Sequence, residues 1–118
     1  KKNTAMMMST ISATAVAPSG KIKRNQWTVL RSTHRACFYN TYGSPVSGRY
    51  AIKLIVAGKE TIAYDSVGVA GGEGFCITQY LQMWVNAKPG TFQTTASTHV
   101  EMDGQETNNE GHGTIEVR

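Results

Sequence analysis

The chain has 118 residues, 17% of them charged, and a net charge of +4. That length suits one domain with enough interior to fold without a metal or a dense disulfide framework. No apolar run reaches the roughly 18 residues that a membrane-spanning helix requires.

Charge is unevenly spread. Residues 1–59 hold ten Lys or Arg and no carboxylate, whereas residues 60–118 hold two basic and all eight acidic side chains. Either strands from the two halves interleave, so that opposite charges cancel across them, or one face stays basic and attracts an anionic partner.

Residues 1–20 read as a targeting segment or a flexible N-terminal arm. Lys1 and Lys2 supply a basic start, Ala5–Val16 a weakly apolar middle, and Ala15-Val16-Ala17 a small-x-small pattern before a cleavage site. The expectation is a secreted or cell-surface protein whose domain spans residues 21–118. Lys21, Lys23 and Arg24 follow as a basic cluster on an exposed edge. Two short strands come next, Gln26–Ser32 with Trp27 and Val29 opposite Thr28 and Leu30, and Ala36–Tyr42, ended by Gly43-Ser44-Pro45.

Arg49–Ala57 places Tyr50, Ile52, Leu54 and Val56 on one face, and Gly58-Lys59 turns it into Thr61–Val69. Gly74–Val85 is the longest apolar run. Phe75, Ile77, Leu81, Met83 and Val85 share one register, and Cys76, Thr78, Tyr80, Gln82 and Trp84 the other. That period-two pattern predicts a central strand. Thr91–Met102 sets Phe92, Ala96, Val100 and Met102 against Gln93, Thr95, Ser97, His99 and Glu101. A polar loop over Asp103–Gly111 and a short last strand, Thr114–Val117, complete seven strands. The fold expected is all-β, an antiparallel β-sandwich of immunoglobulin-like type with one inter-strand disulfide.

Four stretches carry a resemblance to immunoglobulin-like bacterial surface modules of the CARDB or fibronectin type III sort. They are the hairpin Leu54–Tyr64, the Ala-Gly-Gly-Glu connection Ala70–Glu73, Pro89-Gly90-Thr91-Phe92, and Asp103-Gly104 with the polar run to Glu110. The resemblance covers residues 25–118 and implies roles in adhesion, spacing or ligand presentation.

Cys37 and Cys76 are the only cysteines, and in an exported sandwich they pair. No cofactor or metal set emerges. His34, His99 and His112 lack ligand spacing, and Asp103, Glu106 and Glu110 do not follow a calcium-loop pattern, although Asn108 and Asn109 add oxygen donors to that loop. Cations among aromatics mark the candidate anion- or ligand-binding surface: Lys21, Lys23, Arg24, Trp27, Arg31 and Arg35.

The function expected is non-catalytic binding of an extracellular protein or an anionic surface polymer, with edge-strand dimerisation open. A secreted effector, toxin, antimicrobial protein or enzyme inhibitor would instead use an exposed loop, Tyr42–Gly48 or Asp103–Gly111. A small hydrolase would use His99 and Glu101, which share a strand face.

Overall fold

Alternation of side chains carries most of the described residues into eight strands. They are β1 (Thr10–Val16), β2 (Gly20–Ile22), β3 (Thr28–Tyr39), β4 (Val46–Val56), β5 (Lys59–Val69), β6 (Gly74–Val85), β7 (Gly90–Met102) and β8 (Gln105–Val117). The computed structural model describes residues 10–24 and 26–118. Three strands form a sheet in the order β1-β3-β6 and five form a second in the order β2-β8-β7-β4-β5. All pairings are antiparallel except that of β2 with β8.

The inward registers of the two sheets meet in a core with two apolar ends. One end gathers Ala36, Phe38, Tyr50, Ile52, Val69, Val100 and Met102. The other gathers Leu30, Leu54, Val56, Val85 and Ile115. Between Leu30 and Ala36, the inward positions of β3 are polar: Ser32 and His34, both buried. The His34 ring donates from Nδ1 to Thr98 Oγ1 at 2.9 Å, and Thr98 in turn donates to the Thr14 carbonyl at 2.8 Å. Ser32 Oγ lies 2.6 Å from His34 Nε2 and donates to it. Each buried polar atom in this belt thus has a partner, which offsets its desolvation.

This belt corrects the first sequence expectation. Gln26–Ser32 and Ala36–Tyr42 are not two strands, because Thr28–Tyr39 runs unbroken and pairs with β6 at every position. Polar inward residues look like a turn in sequence, yet here they satisfy one another. Trp27 and Val29 face solvent, since Leu30 takes the inward register.

Among the described residues, the sandwich already includes Thr10–Val16, ahead of residue 21. Residues 10–16, expected within a targeting segment or arm, pair with β3 along their length, and the part of that expectation resting on residues 1–9 lies outside the described residues. Two glycines of β8 let this N-terminal stretch lie close. A Cβ at Gly111 would stand 2.5 Å from the Ala15 carbonyl oxygen, and one at Gly113 would stand 2.6 Å from the Pro18 carbonyl oxygen. Asn109 Oδ1 accepts from the Ala15 amide at 3.0 Å, and Thr94 Oγ1 donates to the Pro18 carbonyl at 2.6 Å.

Three further corrections concern boundaries. Gly74–Val85 is an edge strand of its sheet, not a central one. Asp103–Gly111 is not a loop: Asp103 (φ 51°) and Gly104 (φ 76°) form a two-residue turn, and β8 starts at Gln105. The turn between β4 and β5 is likewise Ala57-Gly58 rather than Gly58-Lys59, with both residues at positive φ. The other loop considered, Tyr42–Gly48, is fastened by buried Asn40, which donates to the Ser44 and Val69 carbonyls at 2.9 and 3.0 Å and accepts from the Tyr42 amide at 2.9 Å.

Candidate functional site

The outer face of the three-stranded sheet follows from the outward registers of its strands. β3 contributes Val29, Arg31, Thr33, Arg35, Cys37 and Tyr39; β6 contributes Cys76, Thr78, Tyr80, Gln82 and Trp84. Cys37 and Cys76 stand directly opposite, Cα atoms 4.1 Å apart, and are joined by the expected disulfide. The bond staples two strands of one sheet on its solvent side, with Cys76 exposed.

Trp84 is 60% exposed and meets Trp27, 69% exposed, edge to face with ring centroids 5.6 Å apart. The Arg31 guanidinium lies 5.3 Å from the centre of the Tyr80 ring, within cation–π range. The strands of this sheet carry Arg31 and Arg35 and not one carboxylate. All carboxylates lie elsewhere. The strands of the other sheet hold four cations (Lys21, Arg49, Lys53 and Lys59) and six carboxylates (Glu60, Asp65, Glu101, Glu106, Glu110 and Glu116). Interleaving therefore cancels charge only within the five-stranded sheet, as where Arg49 faces Glu101.

The six basic and aromatic residues singled out from sequence divide between these surfaces. Trp27, Arg31 and Arg35 belong to the three-stranded face. Lys21 sits on β2 of the other sheet, and Lys23 and Arg24 lie in the segment leaving it, where the Arg24 amide donates to the Arg118 carbonyl at 2.7 Å. Tyr80 and Trp84 join the face without having been singled out. Their outward register, shared with Cys76, was the signal for them.

On the outer face of the five-stranded sheet, His99 and Glu101 are neighbours on β7 as the strand period requires. The hairpin brings Glu106 directly opposite Glu101, and Asn108 opposite His99. His99 Nε2 lies 3.4 Å from Glu101 Oε2 and 3.9 Å from Glu106 Oε2. Its Nδ1 donates to Asn108 Oδ1, and the Arg49 guanidinium holds Glu101 Oε1 at 2.9 Å. The bond to Asn108 leads in raising the His99 pKa above the ordinary imidazole value, with the two glutamates adding to it. Glu101 is held below the usual carboxylate value by His99 first and Arg49 second. Tyr64, Asp65 and Ser66 of β5 close one side of a shallow, open depression beside His99 and Glu101. A second pair, His112 and Glu110, stands 2.8 Å apart on the same face.

His34 behaves oppositely. Burial pushes its pKa down, against the raising effect of a hydrogen bond that the ring donates to the Ser97 backbone. Its neighbourhood of Ser32 and Thr98 resembles a nucleophile–base arrangement, but both serine and imidazole are sealed from solvent, so the network supports the fold.

No protein-family model matches the chain, and no curated protein matches it in sequence. Among solved structures, it is similar to the CARDB domain of the PF1109 protein from Pyrococcus furiosus, solved in complex with di-metal ions. The TM-score is 0.48 at 12% identity, covering 94% of each chain. It is also similar to part of a family 123 glycoside hydrolase from Clostridium perfringens, with a TM-score of 0.46 at 13% identity, over 92% of this chain and 27% of that one. A third is the CooA pilin subunit from enterotoxigenic Escherichia coli, with a TM-score of 0.37 at 9% identity, over 90% and 98% of the two chains. These similarities concern the arrangement of strands.

Proposed function

We propose that the chain is a non-catalytic binding module whose three-stranded face takes an acidic polymer bearing rings that can stack, of the acidic-polysaccharide class. The observation that carries this reading is a sheet face with two exposed tryptophans, a tyrosine under an arginine, and no carboxylate in any of its strands. Aromatic faces stack on rings, and arginines pair with the acidic groups between them. A rigid sheet holds both at fixed spacing. A solvent-exposed disulfide suits an oxidising compartment, which supports action outside the cytosol.

The experiment is retention on a heparin-type acidic polysaccharide, compared with neutral dextran, in rising salt. Arg31→Gln with Arg35→Gln removes two charges from the face, and Lys53→Gln with Lys59→Gln removes two from the other sheet. The first pair is expected to abolish retention at salt where the second pair leaves it. Equal losses would mean that net charge alone governs binding, and the reading would fall.

A further inference from the structure

We propose that His99, Glu101 and Glu106 form a binding site for a divalent transition-metal ion of the zinc class, on the sheet opposite the polymer-binding face. The three residues each offer a ligand atom, and those atoms lie within 4.8 Å of one another. The separations from His99 Nε2, 3.4 Å to Glu101 and 3.9 Å to Glu106, are close to those between neighbouring donors around one tetrahedral ion. With metal–ligand bonds of about 2.0–2.1 Å, that geometry sets donors about 3.4 Å apart. All three side chains are partly exposed, so a fourth position on the ion would be left to water.

The surroundings prepare each donor. Asn108 Oδ1 accepts the Nδ1 proton of His99, so a metal ion would displace only the Nε2 proton that the ring directs at Glu101. Fixing the far nitrogen in this way is how a ligating histidine is oriented. Arg49 holds Glu101 through Oε1, so Oε2, bonded to His99 in the metal-free chain, is the oxygen that a metal ion would take in place of the His99 proton. Glu101 and Glu106 are directly opposed across the β7–β8 pair, where two like charges are unfavourable unless a cation lies between them.

The donor set selects the ion. One imidazole with two carboxylates suits zinc, whereas calcium prefers six to eight oxygen ligands. Among the described residues there are no free cysteines to compete, and His34 is buried. His112 with Glu110 offers only a two-donor pair on the same face, which makes it a built-in comparison.

The test is calorimetric titration of zinc sulfate into the full, chelator-treated chain, with circular dichroism to establish that each variant is folded. One ion per chain is expected. His99→Gln and Glu106→Gln should each weaken binding at least about tenfold, while His112→Gln leaves it unchanged. In nitrogen NMR, zinc should shift Nε2 of His99 and leave its Nδ1 protonated. No zinc binding up to millimolar concentration, equal loss in His112→Gln, or calcium binding as tightly as zinc would each overturn the proposal. Loss of zinc in variants that still hold the acidic polysaccharide would separate this site from the polymer-binding face.

Discussion

Trp27 and Trp84 touch edge to face across the end of the three-stranded sheet, yet neither is buried by the contact. Two large apolar rings left in water gain little for the fold, so their removal is expected to cost function before stability. Trp84→Ala should shift the thermal midpoint little. Its affinity for the acidic polysaccharide should drop several-fold, because one of the two exposed indole faces is lost. Intrinsic fluorescence quenched by ligand in the native chain, and unquenched in the variant, checks the assignment.

The disulfide between Cys37 and Cys76 closes a separation of 39 residues. In the chain-entropy account that constraint contributes about 4 kcal/mol. Cys37→Ser with Cys76→Ser should therefore lower the urea midpoint substantially without changing the strand content, because β3 and β6 remain paired along twelve positions. A midpoint unchanged by the double substitution would mean that the open chain is already held in register.

Burial lowers the pKa of His34, and the sign of the resulting pH dependence follows directly. The unfolded chain binds a proton on this imidazole near the ordinary value of 6.5, while the folded chain resists it down to a lower pH. Stability is thus fully present above 6.5 and falls as pH drops from there toward the folded value. Urea unfolding at pH 7.5 and pH 5.5 should show this loss. His34→Gln should be less stable at both values, and the loss between them should shrink. An undiminished loss would place the pH dependence on other groups.

Gly111 of β8 lies under β1, where a Cβ would press on the Ala15 carbonyl. Gly111→Ala is expected to destabilise by about 1–3 kcal/mol, the usual range for forced overpacking. Its signature should be local. Limited proteolysis should cut between Thr10 and Ser19 sooner than in the native chain, while the β4–β5 hairpin stays protected.

Strands with apolar inward registers were legible from the sequence. Tyr50, Ile52, Leu54 and Val56 on β4, and Phe75 through Val85 on β6, alternate as they do in the structure. β3 was not, because Ser32 and His34 occupy the middle of its inward face and partners far along the chain, Leu81 and Thr98, help to make that burial tolerable. β8 was obscured for a related reason: Asn109, Gly111 and Gly113 take inward positions under residues 15–19. A small or polar residue that accommodates a neighbouring strand looks like a loop when the neighbour is unknown. The same limit governs the sites. His99 and Glu101 were visible as a pair, but Glu106 joins them only through the Asp103-Gly104 turn. Trp27 was visible as a candidate binding residue and Trp84 as a neighbour of Cys76 in register, but only the pairing of β3 with β6 brings the two rings together.

The separation of charge between the sheets gives the molecule an electric moment across its thin direction. The strands of one sheet carry only cations, and those of the other carry more carboxylates than cations. Near an anionic surface such a body experiences a torque as well as an attraction, strongest within the screening length of about 8–10 Å at ordinary ionic strength. It would settle with Arg31 and Arg35 toward the surface and turn His99 and its glutamates outward. Lowering the salt would then sharpen the angle at which the molecule lies, and would do more than strengthen its hold.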